Sequence, residues 1–136
     1  MFKIKHIDHL VLRVKDIVAV RAFYEGILGC TEERVNAEIG LYQLRAGSAL
    51  IDLVPADSTL GRMGGAAPGA DALNLDHFCL AIEPFDGEEI KAYLASKGID
   101  PGEVKQRYGA EGDGPSLYIS DPEGNIVELK GPPGAS

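Results

Sequence analysis

Apolar and polar positions along this chain follow two periods that alternate, and the order of alternation occurs twice. From Ile7 to Val14 the period is two, which places His9, Val11 and Arg13 on one face of a strand and Asp8, Leu10 and Leu12 on the other. Asp16 is a suitable N-cap, and Ile17, Val20, Phe23, Tyr24, Ile27 and Leu28 then recur at helical spacing until Gly29 stops the helix. Strands are predicted over Thr31–Asn36, Gly40–Arg45 and Ala49–Val54, the last two joined by a short turn at Ala46–Ser48. Pro55 to Asn74 is rich in glycine, alanine and proline and reads as a linker or mobile flap.

The order then repeats. A strand is expected over Leu75–Glu83, and an N-cap at Asp86. The next helix turns Ile90, Tyr93 and Leu94 inward and ends at Lys97-Gly98. A strand near Gly102–Tyr108, a loop at Gly109–Pro115 and a strand at Ser116–Ser120 follow. The turn Asp121-Pro122-Glu123-Gly124-Asn125 leads into a last strand, Ile126–Lys130, and a loose tail. The expected architecture is α+β: two tandem βαβββ modules, about 5–55 and 74–131 with a linker at about 56–73, within one domain. Each helix covers one face of its sheet, and the curled sheets leave their other faces to form a metal-binding trough.

The repeat carries chemistry. Ile7-Asp8-His9 returns as Leu75-Asp76-His77, and each half ends in an apolar strand with one carboxylate, Asp52 or Glu128. His9 and His77 are 68 positions apart and Asp52 and Glu128 are 76 apart, as a duplicated module with a small loop insertion requires. Two histidines and two carboxylates at matching places form a ligand set for a divalent metal. Asp8 and Asp76 fall on the opposite strand face and read as hydrogen-bonding residues at the strand start. Asp52 has Leu50 and Val54 on its own face, so its charge needs a metal, an arginine or an open wet trough to compensate it. It reads as metal ligand or catalytic base on one view, and as a salt-bridge or rim residue on the other.

Composition narrows the partners. The 136 residues are 45% hydrophobic, enough for a core without staples. With 21 acidic and 13 basic side chains the formal charge is −8, which argues against nucleic acid and points to a small-molecule substrate. Cys30 and Cys79 sit in apolar surroundings and are expected to be reduced and buried. No signal-peptide pattern or long apolar run is present, so the expected location is cytoplasmic, with no membrane partner.

Taken together, Ile7-Asp8-His9-Leu10-Val11-Leu12, Phe23-Tyr24, Leu28-Gly29, Leu75-Asp76-His77 and Ser120-Asp121-Pro122-Glu123-Gly124-Asn125 with Val127-Glu128-Leu129 resemble the vicinal oxygen chelate superfamily. Its members include glyoxalase I, fosfomycin-resistance thiol transferases, extradiol dioxygenases, methylmalonyl-CoA epimerases and bleomycin-binding proteins. The resemblance implies metal ligands at His9, His77 and Glu128. Asp52 stands where glyoxalase I has a ligating glutamate, one methylene longer. It implies a divalent ion (Ni, Zn, Co, Mn or Fe) and a metal-stabilised enediolate, with Glu128 and Asp52 as the catalytic carboxylates and glutathione or another thiol as cosubstrate. Arg13 falls where glyoxalase I carries an arginine that contacts the glutathione carboxylate; the alternative is an arginine reaching solvent. Tyr118 falls where the fosfomycin enzymes have a substrate-contacting tyrosine; the alternative is a core tyrosine.

The closest ligand pattern is that of glyoxalase I, and the expected activity is a lyase or isomerase acting on a small carbonyl or thiol adduct. His9, His77 and Glu128 alone would suit an Fe(II) extradiol dioxygenase, but no spare histidine is available as its acid or base. The segment Glu111–Ser116 resembles the potassium loop of fosfomycin transferases, yet Val11 replaces their threonine and Gly131–Ser136 lacks their basic residue, so it reads as a flexible site rim. A non-catalytic binding or resistance protein is the remaining alternative. Single-domain members commonly pair as homodimers, with sites at the module interface.

Overall fold

The computed structural model describes residues 1–136 and resolves into two compact units, Met1–Asn74 and Leu75–Ser136. The first contains β1 (His9–Val14), α1 (Ile17–Arg21) continuing as a π-helical stretch (Ala22–Ile27), β2 (Thr31–Asn36), β3 (Leu41–Ala46), β4 (Ala49–Pro55) and the one-turn α2 (Thr59–Arg62). The second contains β5 (Phe78–Ala81), α3 (Gly87–Ser96), β6 (Lys105–Gly109), β7 (Gly112–Ser120) and β8 (Ile126–Lys130). No helix is long and apolar enough to cross a membrane.

The two sheets have the same topology. Their orders are β1-β4-β3-β2 and β5-β8-β7-β6, with the first pair parallel and the others antiparallel in each. Registers match as well. Val11 and Gln43 flank Asp52 in the first sheet, and Cys79 and Tyr118 flank Glu128 in the second. The α+β class and the doubled βαβββ order are therefore as the hydrophobic pattern predicts.

Period two assigns the faces. Leu12, Val14, Leu44, Ile51 and Leu53 are buried with Val20, Phe23 and Tyr24. Phe78, Leu94, Leu117, Ile119, Val127 and Leu129 form the matching core of the second unit. Each such side chain contributes about 1.5–3 kcal/mol by leaving water. Asp16 caps α1 by accepting from the Ala19 amide at 3.1 Å. The following π-helical stretch, with Leu28 N donating to Phe23 O at 3.1 Å, lets two successive aromatics, Phe23 and Tyr24, both point into the core. Their rings meet edge to face, 5.0 Å between centroids.

Several elements differ from the sequence expectation. β5 is limited to Phe78–Ala81, the four residues with partners on β8, and the prolyl nitrogen of Pro84 just beyond has no hydrogen to extend the ladder. Gly109–Pro115 is no loop: β7 begins at Gly112 and pairs back to β6, leaving only Ala110 and Glu111 as the turn. Gly112 supplies the positive φ of 99° that this tight return needs. Tyr93 is 44% exposed, because Ile90 and Leu94 define the inward stripe of α3 and Tyr93 lies at its edge under Lys97. Cys30 is buried but Cys79 is exposed, since Cys79 lies on the sheet face that α3 does not cover; both thiols are free.

Candidate functional site

In the second unit Glu128 sits in mid-sheet, opposite Cys79 on one side and Tyr118 on the other, and is 7% exposed. The Nε2 of His77, just before β5, lies 3.4 Å from Glu128 Oε2. Its Nδ1 is 2.5 Å from Asp76 Oδ2. A carboxylate accepts only from a protonated nitrogen, so Asp76 places the proton on Nδ1 and turns Nε2 toward Glu128.

Tyr118 meets the His77 ring edge-on at 5.5 Å, and the Arg107 guanidinium lies 4.4 Å over the Tyr118 ring. Arg107 is fixed there by donating to the carbonyl and hydroxyl oxygens of Ser116, at 2.7 and 2.9 Å. The Cys79 thiol is pushed up to about 11 by partial burial and then by the adjacent Glu128. It stays protonated near neutrality and bonds to that carboxylate. A cavity of about 230 Å³ opens beside Glu128 and Cys79, lined also by Tyr108, Ala110, Glu111 and Lys130.

The first unit repeats the theme with different neighbours. His9 Nδ1 is 2.7 Å from Asp8 Oδ1, and that bond, then the charge of Asp52, raise the imidazole above its ordinary range. Asp52 is 4% exposed, and both its oxygens accept from Gln43 Nε2, at 3.4 and 3.3 Å. Arg13 is engaged within its own unit. It donates to the carbonyls of Gly64, Gly65 and Ala66 at 3.0, 2.6 and 3.0 Å, while its buried Nε has no partner. The linker glycine lets the guanidinium lie close, since a Cβ on Gly64 would stand 2.6 Å from the guanidinium carbon and displace it.

Each unit thus brings together one histidine and one carboxylate, and no three histidine, cysteine, aspartate or glutamate side chains converge into a ready cluster. The donor set can nevertheless be tested against a metal. Two ligands bound at about 2.0–2.2 Å to one tetrahedral ion stand about 3.4 Å apart, the separation of His77 Nε2 and Glu128 Oε2. The aspartate behind each histidine is the usual outer support of such a ligand. The His77–Glu128 pair thus has the spacing of two ligands on one ion.

A profile of the glyoxalase/bleomycin resistance protein/dioxygenase superfamily matches residues 6–129. The chain belongs to this superfamily. Virulence protein STM3117 of Salmonella typhimurium is 30% identical over 131 residues, covering 93% of this chain and 83% of that protein. Its crystal structure aligns with a TM-score of 0.78, covering 96% of this chain and 98% of that one. An integron cassette protein from the mobile metagenome of V. cholerae aligns at 0.75 with 28% identity, over 96% and 98% of the two chains. A lactoylglutathione lyase from Agrobacterium tumefaciens shares the fold, with a TM-score of 0.65, 22% identity and coverage of 93% and 92%.

Within this superfamily member, several site residues escaped the sequence reading. Cys79 and Lys130 were within reach by parity, two positions after His77 and Glu128. Lys130 is also a basic residue after the last glutamate, on the strand itself rather than in the tail where none was found. Gln43 and Arg107 depend on cross-strand register, which no local pattern encodes. Asp8 and Asp76 do hydrogen-bond at the strand starts, but to the histidine rings themselves.

Proposed function

We propose that this protein is a divalent-metal-dependent, glyoxalase-I-like lyase or isomerase acting on a small carbonyl or thiol-adduct substrate. The observation that carries the reading is the Asp76–His77–Glu128 arrangement, with its oriented imidazole and ligand-pair spacing. His77 and Glu128 supply one pair of ligands and His9 and Asp52 the other. Either pair alone falls short of a coordination shell, so the reading requires both pairs, within one chain or in a homodimer. The bound ion would supply Lewis acidity at a substrate carbonyl oxygen.

The remaining chemistry falls to the chain's own groups. The Glu128 carboxylate accepts the proton from the carbon next to the carbonyl, and its low exposure limits exchange of that proton with water. Returned to the neighbouring carbon, the same proton makes the overall change an isomerisation with no net oxidation. Asp52 holds the equivalent strand position and is the second carboxylate for this transfer. A thiol such as glutathione, added to an α-oxoaldehyde, gives the hemithioacetal that this chemistry uses.

The test is elemental analysis of protein purified without added metal, then of protein loaded with Ni, Zn or Co and dialysed. Methylglyoxal plus glutathione is next followed in the ultraviolet. Retained metal with turnover that Glu128→Gln lowers by about 10²–10⁴-fold is the expected result. A metal-loaded protein without turnover would overturn the lyase reading and leave the family membership intact.

A further inference from the structure

Lys130 closes β8 two residues beyond Glu128 and rises from the same sheet face. It is 8% exposed. Its ammonium reaches two backbone carbonyls, Gly112 O at 3.0 Å and Gly131 O at 3.5 Å, and forms no salt bridge with a carboxylate. A buried cation whose hydrogen bonds go only to neutral carbonyls is a costly arrangement, and a leucine or methionine would fill the same volume without that cost.

The neighbouring strands are shaped around this side chain. A Cβ on Gly109 of β6 would stand 2.9 Å from Lys130 Cε, and one on Gly114 of β7 would stand 2.5 Å from Gly131 O and 2.8 Å from Lys130 Nζ. The lysine arm therefore runs close to glycine positions on both strands. Lys130 also lines the 230 Å³ cavity shared with Glu128 and Cys79, whose other walls include Tyr108, Ala110 and Ala81. That volume holds a ligand of roughly seven or eight heavy atoms, at about 30 Å³ for each.

We propose that Lys130 is a specificity-determining residue that binds the terminal carboxylate of a short-chain substrate whose reacting end lies at Glu128 and His77. A monoanion suits the cavity better than a phosphate, because Glu111 and Glu128 also line it and would repel a second negative charge. The ammonium and one carboxylate form a charge-assisted hydrogen bond in a partly desolvated site, which a neutral ligand cannot match. The inference deepens the functional reading above and rests on it for the location of the reacting end.

The subsite itself is testable without metal. Metal-free protein is titrated with butyrate and with butyramide, its neutral isostere, while the backbone amide signals of Gly112 and Gly131 are followed by NMR. Butyrate is expected to shift these signals and to bind at least tenfold more tightly than butyramide, and Lys130→Met is expected to erase the difference. Equal affinity for acid and amide, or full butyrate binding by Lys130→Met, overturns the proposal. Should Lys130→Met fail to fold, the acid–amide comparison on the wild-type protein decides alone. Acid preference without metal-dependent turnover would keep the subsite and reject the lyase; turnover without acid preference would do the reverse.

Discussion

His77 Nε2 and Glu128 Oε2 stand 3.4 Å apart, too far for a strong hydrogen bond and at the spacing of two ligands on one ion. Asp76 holds the far side of the same ring. Replacing Glu128 by glutamine keeps the shape and removes the charge. Turnover in the metal-loaded enzyme is expected to fall by about 10²–10⁴-fold. Asp76→Ala, which leaves both ligands in place, is expected to weaken metal binding by about 10–100-fold. Competition with a chromogenic chelator measures the second effect independently of activity.

The pH behaviour of His9 follows from its neighbours. The hydrogen bond that the ring donates to Asp8, and then the charge of Asp52, raise its pKa above the ordinary 6.5. A folded-state value above the unfolded one means that the stabilising contribution is present below pH 6.5 and is lost as pH rises through the folded pKa. His9 is exposed, so solvent screening keeps that contribution small. An NMR titration of the metal-free protein is expected to place the ring's midpoint above 6.5, and Asp8→Asn to bring it back down. A midpoint unmoved by Asp8→Asn would show that Asp8 does not set the proton affinity.

Gln43 is the neutral partner that makes a buried Asp52 tolerable, through contacts with both carboxylate oxygens. Gln43→Leu removes the amide and leaves the carboxylate uncompensated, at a cost of about 1–3 kcal/mol. The unfolding midpoint of the metal-free protein is expected to drop by roughly 3–11 °C. Adding a tightly bound divalent ion should restore part of that loss, since the ion replaces the missing partner.

Arg13 holds the glycine-rich linker down through three carbonyls, and the side chain of Asn74 brackets the Arg13 backbone at 3.0 and 2.9 Å. Arg13→Ala removes the clamp and leaves β1 paired to β4. Amide exchange across residues 64–66 is expected to quicken by about tenfold while exchange within β4 stays unchanged. Faster exchange in β4 as well would mean that Arg13 supports the sheet rather than the linker.

Cys79 is exposed yet chemically quiet. With a thiol pushed up to about 11 from the model-peptide 9.0, its thiolate fraction near neutrality is about a hundredfold below that of an ordinary cysteine. Alkylation by iodoacetamide at pH 8 should be slower by a similar factor, against a free-thiol peptide as reference. Glu128→Gln should speed it, because the repelling charge is gone.

The hydrophobic period was sufficient for much of this protein. It placed α1 and α3 but not the short α2 within the expected linker, separated the core face of β1 from the face bearing His9, and exposed the duplication that ties His9 and Asp52 to His77 and Glu128. These features are local or repeat at fixed offsets, so backbone geometry and parity translate them directly into faces. The extent of β7, the outward position of Tyr93 and the exposure of Cys79 were not legible, because each is set by which strand or helix stripe meets which partner. The same holds at the site. Residue order could name a buried Asp52, but only cross-strand register brings Gln43 against it. The sequence shows Lys130 two residues from Glu128. Tertiary structure alone shows its arm beside Gly109 and Gly114 and in the wall of a cavity, since these positions come from three different strands.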